Sequence, residues 1–314
     1  MDVDSKKMRV AFQGEAGAFS EAAAVQLLGE QIATVPRPTF DAAFRAIPEG
    51  AADALLVPVE NSLAGSVVRV YDLLLDSNLT ITAETILPIE MHLIACPGSS
   101  LADIRAVSSH PMALAQCERF FAGHPQFKRA PAEDTAGSVR EVLASGDKSH
   151  AAIAGRRAAD HYHGVILAES IQDNAENFTR FVLLVPVPGS DGKNDSPKSA
   201  RAASPVMTDL MVELRVRQGD VSSLPTLKMS IAMRLAHRPG ALLASLEPFS
   251  RHGVNLLKIE SRPIHGRPWE YQFFLDVETD AAPRLESALA EVRKATSDLR
   301  VLGLYPAAAR NNSK

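Results

Sequence analysis

Short apolar segments alternate with amphipathic segments of helical length from Met8 to about Pro186. The apolar segments predict strands over Met8–Gln13, Ala52–Val59, Leu79–Leu87, Arg105–Ser109, Ala151–Ala154, Val165–Ala168 and Phe178–Val185. The segments between them predict helices over Phe19–Leu28, Phe40–Ala46, Val67–Leu75, Pro111–Phe121, Ala136–Ser145 and Arg156–Tyr162. From Phe181 onward the last strand is apolar without alternation, which is typical of a strand covered on both faces. This order predicts an α/β layered fold with mostly parallel strand pairing.

The pattern changes after Pro186. Proline, glycine, serine and charged residues dominate Pro186–Pro205, which predicts a linker over residues 187–227. Within that linker, Val212–Val216 alternates between apolar and charged residues and predicts one extra half-buried strand.

A separate unit is predicted over residues 228–305, with a fraying tail at 306–314. Its predicted strands and helices, in chain order, are Met229–Ala236, a helix between Pro239 and Gly253, Leu256–Ser261, Trp269–Val277, the helix Pro283–Thr296 and Leu299–Leu304. The order βαββαβ predicts a sheet with both helices on one side.

Composition narrows the class of protein. The chain has 314 residues, 46% of them apolar and 22% charged, which fits an ordinary globular protein of more than one folding unit. A net charge of -4 gives no sign of nucleic-acid binding, and the apolar runs are too short to span a membrane. The start MDVDSKKMRV has no apolar secretion signal, and Cys96 and Cys117 do not make a disulfide framework. No His/Cys group has metal-ligand spacing, so we predict a cytoplasmic protein without a metal or a membrane partner.

Four polar clusters lie where predicted strands end, and open α/β sheets bind their ligands at such ends. They are QGEAGAFSE, PVENSLAGS, SSHPMALAQC with the later EDTAGS, and ENFTRFVLLVP. Each cluster taken alone is also explained by turn geometry or helix capping.

Taken together and in this order, the four clusters resemble prephenate dehydratase. The later segment HRPGALLASLEPFSRHGVNLLKIESRP is similar to the regulatory ACT domain of that family. The resemblance extends from Met8 to about Tyr305, except for Pro186–Leu227. It implies a two-lobed catalytic domain over 8–186, of type II periplasmic-binding-protein architecture, and a ferredoxin-like ACT domain. Lobe one would cover about 8–77 with 171–186, and lobe two about 78–170, with the site between them.

The implied reaction needs no cofactor. Prephenate loses carbon dioxide and its ring hydroxyl, so the site needs donors for two carboxylates and a proton donor at the leaving oxygen. The resemblance gives the donor role to Thr179, acting within a relay or through a hydrogen bond that strengthens as charge develops. Asn61 would be an amide donor to the substrate, and Glu60 a proton source only if burial raised its pKa. Arg180 would pair with a substrate carboxylate or serve a structural ion pair. The further residues predicted to line the cleft are Ser62, Gly65, Ser109, His110, Thr135 and Phe181.

The resemblance also implies an effector site for L-phenylalanine at an interface between ACT domains. The residues predicted to form it are Gly240, Ala241, Leu242, Asn255, Glu260, Ser261 and Arg262. A two-fold interface predicts a homodimer or a dimer of dimers.

Two alternatives stay open. The turns GEAGAF and NSLAGS are closer to the branch that includes plant arogenate dehydratases, and Met112 stands where family members often have Gln. Arogenate dehydratase is therefore the rival enzyme, and a non-catalytic amino-acid sensor is the alternative from another class.

Overall fold

The computed structural model describes residues 7–187, 226–264, 266 and 269–308. The predicted extra strand Val212–Val216 lies outside the described residues. The chain divides into two compact units, and the first comprises Met1–Tyr71 with Thr85–Phe181. The second comprises Asp72–Glu84 with Val182–Lys314.

Three helices and five strands precede the second sheet in the described part of the chain. In chain order the elements are β1 (Arg9–Gln13), α1 (Phe19–Leu28), β2 (Ala33–Arg37), α2 (Phe40–Arg45), β3 (Ala54–Asn61), β4 (Gly65–Ser66), α3 (Val68–Asp76) and β5 (Leu79–Pro88). The next elements are β6 (His92–Ala95), β7 (Ala106–Ser109), α4 (Pro111–Ala115), α5 (Glu118–Ala122), β8 (Lys128–Pro131), α6 (Thr135–Ser145), β9 (His150–Ala154), α7 (Arg156–Tyr162), β10 (Val165–Ala168) and β11 (Phe178–Pro186).

The first sheet of the first unit has the order β11-β3-β1-β2, and β4 pairs with the end of β3. β1 pairs in parallel with both β2 and β3, as the alternation of strands and helices predicts. Val10, Ala11 and Phe12 are fully buried, and so are Leu55 and Leu56 on the neighbouring strand. These continuous apolar runs show that the middle of the sheet is covered on both faces.

The second sheet of the first unit has the order β10-β6-β9-β7-β8. β7 runs parallel to β8 and β9, whereas β6 runs antiparallel to β9 and β10. The sheet is therefore mixed, and its strands β6 and β8 are not among those predicted. β5, which the sequence assigns to lobe two, adjoins β11 and does not join this sheet. An apolar run predicts a strand but does not indicate to which sheet the strand belongs. The division into two lobes stays a prediction.

The helix predicted over Pro111–Phe121 is wrong as a single element. α4 ends at Ala115, and α5 begins at Glu118. The carboxylate of Asp173 accepts hydrogen bonds from the backbone N–H groups of Glu118 and Arg119, at 2.8 and 2.9 Å. These bonds satisfy donors that a helix start leaves unpaired, so a distant residue marks the second start.

The second unit contains the predicted βαββαβ order. Its elements are β12 (Leu227–Arg234), α8 (Ala241–Arg251), β13 (Asn255–Pro263), β14 (Tyr271–Thr279), α9 (Ala282–Ala295) and β15 (Asp298–Pro306). The strand order β13-β14-β12-β15 is antiparallel throughout, which is a ferredoxin-like sheet. Phe249 from α8 and Leu285 and Val292 from α9 pack in one cluster with the strand residues Ile231 and Leu275.

β15 is the strand of the second unit that lies next to β5 in the sheet. It pairs in parallel with β5 at Gly303 and Ile81, and β5 adjoins β11. The Nζ of Lys228 lies 2.7 Å from the Oε1 of Glu84, and both side chains are buried. In the described part of the chain, no helix has the length and apolar character needed to span a membrane.

Candidate active site

The candidate site begins with a turn at the end of β3. The Oδ1 of Asn61 accepts hydrogen bonds from the backbone N–H groups of Leu63 and Ala64, at 3.0 and 2.8 Å. An amide has its acceptor on one end and its donors on the other. The turn therefore fixes which end of Asn61 faces away from it, and that end is the NH₂ group.

The NH₂ group of Asn61 meets the first residues of β11. Its Nδ2 lies 2.9 Å from the Oγ1 of Thr179, 2.8 Å from the Oδ1 of Asn177 and 3.2 Å from the carbonyl oxygen of Phe178. Thr179 is 8% exposed. Because its oxygen accepts from Asn61, the proton of the Thr179 hydroxyl is available for another acceptor. The sequence places Thr179 and Asn61 in one site, and the structure brings them into hydrogen-bond contact.

Asn177 and Gln116 belong to the same polar cluster, although the sequence analysis gave neither of them a role. Asn177 is 1% exposed, and its Nδ2 lies 3.3 Å from the Oε1 of Gln116, which directly follows α4. The available signal was a polar residue directly before a buried strand. Only the fold shows that it links the Asn61 turn to α4.

Arg180 forms an ion pair with Glu60. Its Nη1 lies 3.7 Å from the Oε2 of Glu60, with the Arg180 side chain 11% exposed and the Glu60 side chain 39% exposed. The structural ion pair, which was the open alternative for Arg180, is therefore present. Glu60 is therefore the partner of a guanidinium, and its side chain is partly exposed; its role as a proton source stays a prediction.

Ser62 ties the same turn to the chain that enters β11. Its Oγ donates to the carbonyl oxygen of Glu176 and accepts from the backbone N–H of Phe178, both at 2.9 Å. Gly65 follows with a φ of +79°, a conformation that favours glycine. Phe181 is 2% exposed and is a core residue. The structure thus brings together the polar residues of PVENSLAGS and NFTRF.

Of three predicted cleft residues, Ser109 and His110 each have a polar atom bonded to nearby backbone. Ser109 is fully buried and donates to the carbonyl oxygen of Ile153 at 2.6 Å. The Nδ1 of His110 accepts from the backbone N–H of Met112 at the start of α4. Thr135 is the first residue of α6, where the side chain of Asp134 provides the cap. A substrate role for these three stays a prediction.

The thiol of Cys117, the residue after Gln116, is buried and unreactive. Burial, and to a smaller extent the carboxylate of Asp173, raises the pKa of Cys117 to about 12. The thiol is therefore protonated at neutral pH and is neither a nucleophile nor an acid for this site.

The glycine-rich turn after β1 is fixed by a buried carboxylate. The Oε2 of Glu21 accepts from the backbone N–H of Gly17 at 2.5 Å, and its Oε1 accepts from the hydroxyl of Thr34 at 3.0 Å. A Cβ at Gly17 would lie 2.7 Å from the Cα of Ala158 on α7. The close approach of these two backbones requires glycine at this position.

The predicted effector residues lie partly beside a pocket at the start of α8 and partly on β13. A pocket of about 150 Å³ in the second unit is lined by Leu235, Ala236, His237, Arg238, Ala241, Leu242, Trp269, Glu270, Tyr271 and Phe273. Of the predicted set, Ala241 and Leu242 line it. Gly240 caps α8 with a φ of +77°. The other four lie on β13. Asn255 donates a hydrogen bond to Glu278, and Ser261 lies opposite Phe273 on β14. Two more form ion pairs: Glu260 with Lys258, and Arg262 with Asp72.

This fold and site define an α/β enzyme whose polar cluster joins two strand ends. A family model described as prephenate dehydratase matches residues 10–187. The chain belongs to the prephenate dehydratase family, whose members are lyases.

Relatives match over nearly the whole chain. Arogenate dehydratase/prephenate dehydratase 1, chloroplastic, of Arabidopsis thaliana is 36% identical, with 97% of this chain and 74% of the relative covered. The bifunctional chorismate mutase/prephenate dehydratase of Aquifex aeolicus is 34% identical, with 96% of this chain and 75% of the relative covered.

Two solved structures have similar folds over most of their length. Prephenate dehydratase from Arthrobacter aurescens, in complex with L-Phe, is 30% identical with a TM-score of 0.76, covering 96% of this chain and 90% of that one. GqqA, described as a novel type of quorum quenching acylases, is 31% identical with a TM-score of 0.79, covering 95% and 98%.

Proposed function

We propose that this protein converts prephenate to phenylpyruvate, water and carbon dioxide. The observation that carries the proposal is the 2.9 Å contact in which Asn61 donates to the oxygen of Thr179. It leaves the hydroxyl proton of Thr179 to be donated to a substrate oxygen. The turn amides on Asn61 hold this arrangement before substrate arrives, which is the preorganisation that transition-state stabilisation requires.

The residues support a single concerted step. The bond between the ring and its carboxylate breaks as carbon dioxide leaves, and its electron pair moves through the ring as the bond from the ring to the hydroxyl oxygen breaks. The hydroxyl departs as water with one proton that comes from solvent. A threonine hydroxyl is a weak acid, so Thr179 acts by a hydrogen bond that strengthens as charge develops on the leaving oxygen. Arg180 pairs with Glu60 on the neighbouring strand, and we propose that its guanidinium also attracts a substrate carboxylate.

Arogenate is the second candidate substrate, because several plant relatives are named arogenate dehydratases, such as arogenate dehydratase 1 of Petunia hybrida at 37% identity. Arogenate carries an amino group where prephenate carries a keto oxygen, and its product would be L-phenylalanine. The two activities are separated by assaying purified protein on each substrate and identifying the product as phenylpyruvate or phenylalanine. Hydrolysis of an acyl amide, the activity for which GqqA is named, is assayed on the same preparation.

The variant Thr179→Ala tests the role of the hydroxyl. We expect kcat on prephenate to fall about 100-fold or more, the usual effect of losing one preorganised donor, while Thr179→Ser recovers much of the loss. Thr39→Ala is the matched control, since Thr39 caps α2 through a 3.1 Å bond to the N–H of Ala42. The control should lose about 1 kcal/mol of stability and keep its turnover.

Unchanged turnover in Thr179→Ala would remove that residue from the mechanism. A wild-type protein that turns over neither substrate would favour the amino-acid sensor.

We further propose that L-phenylalanine binds the second unit at an interface between two copies of the chain. Two of the seven predicted effector residues, Ala241 and Leu242, line this pocket, Gly240 precedes them at the start of α8, and the other four lie on β13. A second copy that brought β13 to this pocket would complete the site. The exposed apolar side chains of Leu243, Trp269 and Ile259, at 72%, 77% and 43% exposure, support a covered surface there. The L-Phe complex of the Arthrobacter aurescens relative supports the choice of ligand.

A reducing, cytoplasmic setting is part of the same proposal. Cys96 and Cys117 are both free and buried, which fits a protein that needs no disulfide.

A further inference from the structure

A line of amide groups with one fixed direction runs through the candidate site. The backbone N–H groups of Leu63 and Ala64 donate to the Oδ1 of Asn61, whose Nδ2 donates to the Oδ1 of Asn177. The Nδ2 of Asn177 then donates to the Oε1 of Gln116. Each amide receives at its oxygen and donates from its nitrogen, so the turn amides set the orientation of every later member.

Asn177 is the fixed centre of this line. Its side chain is buried, with 1% of the residue exposed, and its backbone carbonyl oxygen accepts a hydrogen bond from the backbone N–H of Ile89 at 2.7 Å. Its two amide ends are both engaged, one with Asn61 and one with Gln116. If the Asn177 amide were reversed, its NH₂ group would face the NH₂ group of Asn61, and its oxygen would face the oxygen of Gln116. Both contacts would then be repulsive.

We propose that Asn177 is a positioning residue that fixes the amide orientation of Asn61 and Gln116. With the Oε1 of Gln116 held by Asn177, the NH₂ group of Gln116 is turned away from Asn177 and is kept as a donor. With the NH₂ group of Asn61 held, the oxygen of Thr179 receives a hydrogen bond and its O–H group stays available as a donor to the substrate. This inference rests on the proposed dehydratase function and names the residue that orders its donors.

A purely structural role for Asn177 would also explain a buried, satisfied amide, so the test must separate orientation from packing. Asn177→Asp does so because the two side chains have nearly the same shape. The ionised carboxylate accepts from Asn61 as before, but it forces Gln116 to turn its NH₂ group toward residue 177. The protonated carboxyl has one acceptor and one O–H donor and restores the original direction.

The experiment measures kcat and KM on prephenate for wild type and Asn177→Asp between about pH 5 and pH 8. Burial favours the neutral form of the new carboxyl group. The charged or titratable groups on the elements that contact residue 177 include Glu60 on β3, Arg180 on β11, His110 at the start of α4, and Glu90 next to Ile89. Further ones are Glu118 and Arg119 on α5, and Asp173 and Glu176 on the loop before β11. We expect a kcat about 100-fold below wild type at pH 8, and a ratio to wild type that recovers at least about tenfold toward pH 5.

Asn174→Asp is the matched control. Asn174 is exposed, and its Oδ1 accepts from the backbone N–H of Glu176, a bond that a carboxylate keeps. It adds the same charge three residues away, and its kcat should follow the wild-type pH profile.

A second variant keeps the proposal testable if Asn177→Asp does not fold. Gln116→Glu retains the oxygen that accepts from Asn177 but lacks the NH₂ group, so we expect wild-type thermal stability with a kcat about 100-fold lower. A Gln116→Glu variant with wild-type kcat, or an Asn177→Asp variant whose ratio to wild type is flat with pH, would overturn the positioning role. Wild-type protein that turns over neither prephenate nor arogenate would overturn the proposed function and this inference with it. Wild-type turnover with a flat ratio overturns only the inference.

Discussion

His92 is an imidazole in the interior of the second sheet. It is 1% exposed, and its Nδ1 accepts a hydrogen bond from the backbone N–H of Ser170 at 3.2 Å. Burial lowers the pKa of His92, and Arg156 lowers it further, against the opposing charges of Glu90, Glu169 and Asp160. A nitrogen that accepts a bond in a buried site is neutral, and a proton there costs both the bond and the desolvation of a charge.

The pH dependence of stability follows from this shift. The unfolded chain takes up a proton at the ordinary histidine pKa of 6.5, while the folded protein takes it up only at lower pH. Below about 6.5 the unfolded state therefore binds more protons, and the free energy of unfolding falls with falling pH until the folded pKa is passed. We expect His92→Asn, whose Oδ1 can accept the same N–H, to remove this part of the acid loss.

The measurement is urea unfolding at several pH values between about 5 and 8. His161→Asn, on an exposed side chain, is the control and should leave the wild-type slope in place. A wild-type slope in His92→Asn would show that other groups carry the acid sensitivity.

At the residue scale, the resemblance to prephenate dehydratase named Thr179 and Asn61 but not the residues that connect them. The motifs TRF and ENS identify these two residues, and the structure brings them into hydrogen-bond contact. Asn177 and Gln116 were not, because a hydrogen bond between residues 61 positions apart depends on the final packing. Ser109 and His110 show the opposite limit, since a polar side chain near a site can be fully used by its own backbone surroundings.

At the element scale, Gly303 decides how β15 meets β5. A Cβ at this position would lie 2.6 Å from the Cβ of Ile81 and closer still to its carbonyl oxygen. The pairing of β15 with β12 shifts register between Ser230 and Ile231, next to the partner of Gly303. Glycine within a strand typically marks such a close backbone approach.

We expect Gly303→Ala to lower the free energy of unfolding by about 1 to 3 kcal/mol, the usual cost of overpacking. Gly123→Ala is the control, because Gly123 has a helical φ of -75° and its Cβ would lie 3.5 Å from the nearest atom. The control should change stability little or raise it by about 0.4 to 1 kcal/mol. Urea unfolding of both variants measures the difference, and equal stability of Gly303→Ala and wild type would contradict the close approach.

Element predictions succeeded where local signals coincide with tertiary packing. The helix Phe19–Leu28 and the strand Val165–Ala168 have the predicted bounds. The break between α4 and α5 was not predictable, because its cap comes from Asp173, 55 residues beyond Glu118. β8 was missed because three of its four residues, Lys128, Arg129 and Pro131, are exposed, so it lacks a strand's apolar alternation.

At the scale of the whole molecule, an ion pair joins the predicted effector strand to the helix that follows the Asn61 turn. The Nη2 of Arg262 on β13 lies 3.6 Å from the Oδ2 of Asp72 on α3, both within the second unit. α3 begins at Val68, shortly after the turn that holds Asn61. An effector that engaged Arg262 would compete with Asp72 for the guanidinium, and this gives the effector a route to α3.

The variant Asp72→Asn tests that route, given the proposed L-phenylalanine site. In wild type we expect phenylalanine to lower turnover of prephenate. In Asp72→Asn we expect phenylalanine to bind still, as measured by calorimetry, while the change in turnover that it causes shrinks about fivefold or more, a typical size for coupling between sites. Basal turnover should stay close to wild type, since Asp72 does not belong to the Asn61 and Thr179 cluster.

Asp41→Asn is the control for this experiment because it removes a different ion pair on the same helix. Asp41 on α2 pairs with Arg69 on α3 and lies in the first unit, away from β13 in the chain. If both variants weaken the phenylalanine response equally, then anchoring of α3 in general, and not its link to the effector strand, controls turnover. If phenylalanine leaves wild-type turnover unchanged although it binds, the second unit holds the amino acid without regulating the reaction. A response that survives intact in Asp72→Asn alone would require the coupling to run through β15 and β5, where Gly303 meets Ile81.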